Sequence, residues 1–142
     1  MVVALVVMGI PGCGSTSLDG VTPKAHLGSP GSNQLTLADV RTRLRSAGLE
    51  PQAGGQVEQS FLKVPGMLLR FPETELQVFI YPDPAARAGD TATLDPVKVA
   101  PPTMRVTWIM PASLVTVENV AVIVLTRDEA LRARIRNVLT GR

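Results

Sequence analysis

The sequence predicts an α+β fold, a two-layer sandwich in which an N-terminal and a C-terminal helix pack on a mostly antiparallel sheet. Apolar residues recur at helical spacing near residue 37 and again near residue 131. Between these stretches lie short apolar runs joined by turns of a few residues. Such short connections join antiparallel strands, because a parallel crossover needs about a dozen residues or more. Helices at both ends of a run of strands are typical of α+β proteins.

Local signals predict where the helices begin and end. Thr36 stands three residues before Asp39 in a variant of the capping box and is expected to open the first helix. Gly48 follows the last apolar position and is expected to end it. Asp83 and Pro84 are predicted to open a short helix. A capping box over residues 126–129 is predicted to open the last helix, whose inner stripe comprises Leu131, Ile135, Val138 and Leu139.

Six segments have the composition of strands. They are residues 57–62, 67–71, 76–81, 104–110, 114–117 and 120–125. Residues 76–81 are apolar on both faces and residues 120–125 are largely β-branched, so both are expected inside the sheet. Residues 104–110 alternate between apolar and polar, which predicts a strand with one buried face.

Arginines accompany both terminal helices. Arg41, Arg43 and Arg45 belong to the first helix, and Arg132, Arg134 and Arg136 belong to the last. A phosphate cradle is one interpretation of the first three. A spacing of two spreads them around the helix rather than gathering them, which favours a solvated face.

Composition excludes several classes of protein. The chain has 142 residues, of which 45% are hydrophobic and 18% are charged, which predicts one packed domain rather than disorder. A net charge of +2 is too small for a nucleic-acid interface. The single histidine, His26, and the single cysteine, Cys13, stand in no cluster of metal ligands. We therefore expect no nucleic-acid partner, no metal and no cofactor.

The start of the chain resembles a bacterial lipoprotein signal. Residues 2–10 are uncharged and apolar, too short for a transmembrane span, and Cys13 follows a small residue directly behind them. This predicts a signal peptide at 1–12, a lipid-anchored Cys13 carrying acyl chains such as palmitate, a Gly-, Ser- and Pro-rich tether over 13–33, and a domain at 34–142. The protein would then lie in the cell envelope, anchored on the extracytoplasmic side of a bacterial membrane. A cytosolic strand with a buried Cys13, or an uncleaved or ordinary secretory signal, are the alternatives.

Four segments in fixed order carry a further resemblance. They are Phe61-Leu62-Lys63-Val64-Pro65-Gly66, Leu76-Gln77-Val78-Phe79-Ile80-Tyr81-Pro82-Asp83, Val106-Thr107-Trp108-Ile109-Met110-Pro111 and Asn119-Val120-Ala121-Val122-Ile123-Val124-Leu125. The chain resembles a family of small uncharacterised bacterial lipoproteins with a helix–sheet–helix layout. Members often carry a Pro-Pro-His-like stretch after the tryptophan segment, where this chain has Pro-Ala-Ser. The resemblance implies a fold and a location, and no activity.

Two small groups of residues suggest chemistry. Glu73 and Glu75 lie close together in a predicted turn, where a carboxylate pair or two solvated acids would be found. Trp108, Tyr81 and Phe79 would form a stacking floor for a sugar or a base, or would be buried in the core. The chain has neither a glycine-rich phosphate loop nor a Gly-x-Ser-x-Gly nucleophile turn.

These observations favour a non-catalytic interaction module that binds a partner, such as an envelope protein. A small-ligand carrier or sensor is the alternative, followed by a hydrolase. The partner surface is expected on the weak helix at 84–93 and the proline-rich stretch at 96–102, because surface loops often carry function. Its residues are Pro84, Arg87, Asp90, Pro101 and Pro102.

Overall fold

The computed structural model describes residues 34–142; the predicted signal peptide, Cys13, the tether and His26 lie outside that range. Its elements are α1 (Leu37–Ser46), β1 (Gln52–Val57), β2 (Gly66–Phe71), β3 (Thr74–Ile80), α2 (Pro84–Thr91), β4 (Ala112–Val117), β5 (Val120–Thr126) and α3 (Glu129–Thr140). The strands form one antiparallel sheet in the order β1-β2-β3-β5-β4. The predicted α+β sandwich is confirmed, and β3 and β5 lie inside the sheet as expected.

Helices α1 and α3 cover one face of the sheet. Val40 and Leu44 of α1 share an apolar cluster with Ile135 and Leu139 of α3. The sheet residues of this cluster are Leu69, Leu76, Val78, Val115, Val120, Val122 and Val124. Because burial of one such side chain contributes about 1.5–3 kcal/mol, this face holds much of the stability of the fold.

The two terminal helices begin differently from one another. At α1 the hydroxyl of Thr36 accepts a hydrogen bond from the Asp39 N–H at 3.2 Å, and the Asp39 carboxylate accepts from the Thr36 N–H at 2.7 Å. The predicted capping box is confirmed there. At α3 the prediction was wrong, because Asp128 is the N-cap. Thr126 instead ends β5, where its hydroxyl accepts a hydrogen bond from Thr74.

Irregular chain covers the second face of the sheet. The segment at 104–110 is not a strand, so that prediction was wrong. Its alternation is nevertheless real, since Trp108 and Met110 pack against a second apolar cluster and Ile109 is exposed. The buried residues of this cluster are Leu62, Phe79, Tyr81, Leu94, Val99, Ala112, Ala121, Ile123 and Leu125. A period of two shows which side chains meet a core, and it does not require a paired backbone. The irregular chain also bonds to the edge strand β4, because the N–H of Leu114 donates to the carbonyl of Pro96.

Strand β1 lies earlier in the chain than predicted, at Gln52–Val57 rather than at 57–62. Its composition is polar and rich in glycine, and it carries a bulge at Gly54 on the edge of the sheet. A Cβ on Gly54 would lie 2.9 Å from the Leu68 side chain. The glycines of β1 are therefore explained by the close approach of the Leu68 side chain and by the position of β1 at the sheet edge, and not by strand propensity.

The expectation of a solvated arginine face on α1 was wrong for Arg43, which is partly buried. Arg43 of α1 donates to the carbonyl of Leu139, and Arg134 of α3 donates to the carbonyl of Ala47. Arg132 donates to the carbonyl of Thr126 at 2.7 Å. The carbonyls of Leu139 and Ala47 lie at helix ends, where carbonyls lack partners inside the helix, and an arginine of the neighbouring helix reaches each of them.

A buried asparagine ties the N-terminal end of the domain to the sheet. Asn119, 2% exposed, lies in the turn between β4 and β5. Its amide oxygen accepts the Leu35 N–H at 2.5 Å, and its amide nitrogen donates to the carbonyls of Leu35 and Tyr81. These bonds hold the chain before α1 against the end of β3.

Candidate binding groove

A groove of about 990 Å³ lies where irregular chain covers the second face of the sheet. Residues 93–102 and 104–112 contribute most of its lining, and Arg127, just after β5, completes it. We call this surface the 93–112 groove. Its size lies at the upper end of the range of small-molecule sites, about 300–1,000 Å³.

Large hydrophobic side chains are exposed in the groove. Val97 is 74% exposed, Ile109 is 72% exposed and Met104 is 39% exposed. Among residues 34–142 these three are the exposed large hydrophobic side chains, and all three line the groove. Single exposed apolar residues are common on protein surfaces, whereas apolar residues gathered at one place indicate a binding surface.

A tight turn around Asp95 presents Val97. The Asp95 carboxylate accepts the N–H groups of Val97 and Lys98 at 2.8 and 2.9 Å. These backbone hydrogen bonds, Lys98 first, lower the pKa of Asp95 from its usual value. The ionised carboxylate therefore belongs to the turn itself, and Val97 projects from it into solvent.

The same turn contains a strained residue. Val99 has a φ of 49°, in the left-handed region that β-branched residues rarely adopt. Such a conformation costs about 1–3 kcal/mol and persists only where the surroundings fix it. Val99 is completely buried, and its N–H donates to the Asp95 carbonyl at 2.8 Å. Burial of Val99 thus fixes the shape of one wall of the groove.

Trp108 connects the two segments that line the groove, residues 93–102 and residues 104–112. Its indole Nε1 donates to the Lys98 carbonyl at 3.0 Å. Its ring meets Phe61 edge to face, with centroids 6.3 Å apart and planes at 87°. These contacts fix the position of Trp108 relative to the turn that contains Lys98 and relative to Phe61.

The groove carries an excess of positive charge. Lys98, Arg105 and Arg127 line it, and none of them is in an ion pair with another described residue. Asp95 is the one acid of the lining. Residues 34–142 hold thirteen basic and eleven acidic side chains, so ten of each remain elsewhere. Acidic and basic side chains outside the groove therefore balance, and the net charge of +2 of the described residues arises from the side chains that line the groove.

The structure separates the residues of the expected partner surface. Pro101 and Pro102 line the groove. Pro84 is the first residue of α2, and Arg87 donates from Nε to the carbonyl of Glu118 at 2.9 Å. Asp90 accepts hydrogen bonds from the Tyr81 hydroxyl at 2.7 Å and the Lys63 N–H at 2.8 Å. Arg87 and Asp90 thus hold α2 and its neighbours in place.

The three aromatic residues of the suggested stacking floor are not together on the surface. Phe79 and Tyr81 are buried, and only Trp108 lines the groove. Burial, followed by the hydrogen bond to Asp90, raises the pKa of the Tyr81 hydroxyl above its usual value. Tyr81 is therefore a protonated core residue at neutral pH.

The two turn acids do not form a carboxylate pair in a cleft. Glu73 is exposed in the turn between β2 and β3, with a φ of 57°. Glu75 of β3 forms an ion pair with Arg70 of β2, with 3.8 Å between Glu75 Oε2 and Arg70 Nε. Within residues 34–142 no group of three or more potential metal ligands comes together.

Sequence reasoning did not single out Val97, Met104 and Ile109 as binding residues, although Val97 lies within the stretch at 96–102 that was expected on the surface. Ile109 carried a usable signal, because it is an apolar residue at a position of the alternation that otherwise faces solvent. Val97 carried a weaker one, since it stands alone between a proline and a lysine in a segment without periodicity.

Comparison of the chain with protein-family models, with curated proteins and with solved structures gave no match. Within residues 34–142, no helix has both the length and the apolar character needed to cross a bilayer.

Proposed function

We propose that this protein is a lipid-anchored interaction module of the bacterial cell envelope, on the extracytoplasmic side of the membrane, and that it binds a partner protein through the 93–112 groove. The observation that carries the proposal is the meeting of Val97, Met104 and Ile109, all exposed, on one groove. The lipoprotein-like start supports the location. The resemblance to small bacterial lipoproteins agrees with it.

A binding role, rather than a catalytic one, fits the chemistry of the groove. Its lining has no histidine or cysteine, since the chain's single examples are His26 and Cys13. Asp95, its one acid, is engaged by two N–H groups of its own turn. The groove therefore offers apolar contact and positive charge, and it lacks a paired nucleophile and base.

A small-ligand carrier is the second candidate, because about 990 Å³ would accommodate a drug-sized molecule. The degree of exposure favours the first candidate. Carriers enclose most of their ligand, whereas Val97 and Ile109 are more than 70% exposed. A protein surface would cover such projecting side chains more completely than a small molecule would.

Site-specific photocrosslinking in intact bacteria tests the proposal. A photoreactive amino acid at position 109 is expected to form a discrete crosslinked protein species. The matched position is Thr42, exposed on α1, which is expected to form none. Equal crosslinking from both positions, or none from either, would contradict the proposal. A product of position 109 whose added mass is that of a small molecule would identify the protein as a carrier.

A further inference from the structure

The three cations of the 93–112 groove bear on the chemistry of its partner. Lys98, Arg105 and Arg127 lie beside the exposed apolar residues and form no ion pair with other described residues. Elsewhere in residues 34–142 the numbers of acidic and basic side chains are equal. The positive charge is thus concentrated where the apolar surface is exposed.

Interfaces pair surfaces of opposite potential, which guides association and excludes partners of like charge. We propose that the 93–112 groove binds an acidic peptide segment of a partner protein, one that carries aliphatic or aromatic side chains beside its carboxylates. The inference rests on the proposed function, because it assigns a chemistry to the partner of that same groove. Carboxylates of the segment pair with Lys98, Arg105 and Arg127, and its apolar side chains cover Val97 and Ile109.

An anionic membrane surface offers the same two kinds of contact, and the shape of the site distinguishes the two occupants. The lining comes from two segments, 93–102 and 104–112, with a volume of about 990 Å³ between them. A peptide chain can lie within such a groove. A flat bilayer would meet only its projecting side chains and leave the remaining volume unfilled.

The protein contains its own probe of the groove. Trp108 is the single tryptophan of the chain and lines the site. Its fluorescence therefore reports directly on whatever enters, without a label.

The test is selection of peptides from a displayed library of random twelve-residue sequences on the full chain, purified in dodecyl maltoside. Selected peptides are then titrated against the same protein while Trp108 fluorescence is recorded. The charge variant is Lys98→Glu with Arg105→Glu. Its matched control is Arg136→Glu with Arg142→Glu, which makes the same change in net charge at exposed positions outside the groove.

The selected peptides are expected to combine Asp or Glu with aliphatic or aromatic residues. Their binding should weaken as salt is added, because screening reduces contacts between exposed charges. The groove variant should bind about tenfold more weakly or worse, and the control should stay within about twofold of the wild type.

Three results would overturn the inference: selection of basic or uncharged peptides, equal loss in the two double variants, or no selection at all. If phosphatidylglycerol vesicles shift Trp108 fluorescence while no peptide is selected, the occupant is a membrane surface. Failure of the proposed function is a separate result, because position 109 would then crosslink no protein in cells. If position 109 crosslinks a protein whose capture is unaffected by the charge variant, only the acidic character of the partner is refuted.

Discussion

Arg43 in α1 donates a hydrogen bond from Nη1 to the main-chain carbonyl of Leu139 in α3, at 2.6 Å. Leu139 lies in the last turn of α3, where carbonyls lack partners within the helix and the helix dipole favours a positive charge. A side chain that the sequence would place on a solvated face thus joins the two helices of one layer.

Replacement of Arg43 by methionine keeps the aliphatic stem and removes this bond. We expect Arg43→Met to lower the free energy of unfolding by about 1–2 kcal/mol, because hydrogen bonds of charged groups contribute about 1.5–3 kcal/mol. The control is Arg45→Met, whose ion pair with Glu50 is exposed and contributes about 1 kcal/mol or less. Urea unfolding of both variants measures the difference. Equal destabilisation would show that the bond to Leu139 does not stabilise the fold.

Two glycines should respond to alanine with opposite signs. A Cβ on Gly66 of β2 would lie 2.6 Å from a ring carbon of Phe79, which is completely buried. We expect Gly66→Ala to destabilise the protein by about 1–3 kcal/mol through overpacking. Gly89 of α2 has nothing within 4 Å of its Cβ position, so Gly89→Ala should stabilise by about 0.5–1 kcal/mol through helix propensity. Thermal unfolding of both variants measures these changes. An unchanged stability of Gly66→Ala would show that the Phe79 ring can move aside.

We expect the protein to lose stability at alkaline pH because of the raised pKa of Tyr81. Its hydroxyl pKa is raised above the usual 10.0, first by burial and then by the hydrogen bond to Asp90. Above pH 10 the unfolded chain loses this proton while the folded chain keeps it, so ionisation favours unfolding. The stabilising contribution is complete below pH 10 and declines as the pH rises towards the raised value.

Tyr81 is the single tyrosine of the chain, so its phenolate absorbance can be titrated directly. The folded protein should show little phenolate at pH 10, and Tyr81→Phe should lose less stability than the wild type between pH 9 and pH 11. A midpoint of 10 in the folded state would contradict the described environment of this side chain.

Lipid attachment at Cys13 is expected from the sequence. Labelled palmitate should enter the wild-type chain in growing bacteria and should be absent from Cys13→Ser. Ser15→Ala is the matched control and should be labelled like the wild type. Labelling of Cys13→Ser at the wild-type level would contradict the anchor, and with it the proposed location.

Much of the fold was accessible from local signals. The capping box at Thr36 and the apolar stripe containing Ile135 and Leu139 are both sequence patterns within one element, and the structure contains both. Thr126 shows where such signals fail. Its pattern fits a helix cap, yet its place in the sheet opposite Thr74 assigns it to β5.

The candidate site was accessible only in part. Pro101 and Pro102 fell within the expected surface because proline-rich stretches lie outside regular elements. Met104 and Ile109 were assigned to a strand, because alternation alone does not show whether the backbone pairs. The groove depends on how two consecutive irregular segments fold against each other, for example through the hydrogen bond from Trp108 to the Lys98 carbonyl. No pattern within either segment specifies that contact.

The central claim is that exposed apolar side chains of the 93–112 groove bind a partner protein. It is tested most directly by the yield of crosslinked protein from a photoreactive residue at position 102, which lines the groove and is exposed, in the otherwise wild-type chain and in Val97→Ser/Ile109→Ser. Thermal unfolding verifies that the double variant is folded. Covering each of these side chains contributes about 1.5–3 kcal/mol, so we expect most of the crosslinked product to disappear in the double variant. An undiminished yield from the folded double variant would contradict it.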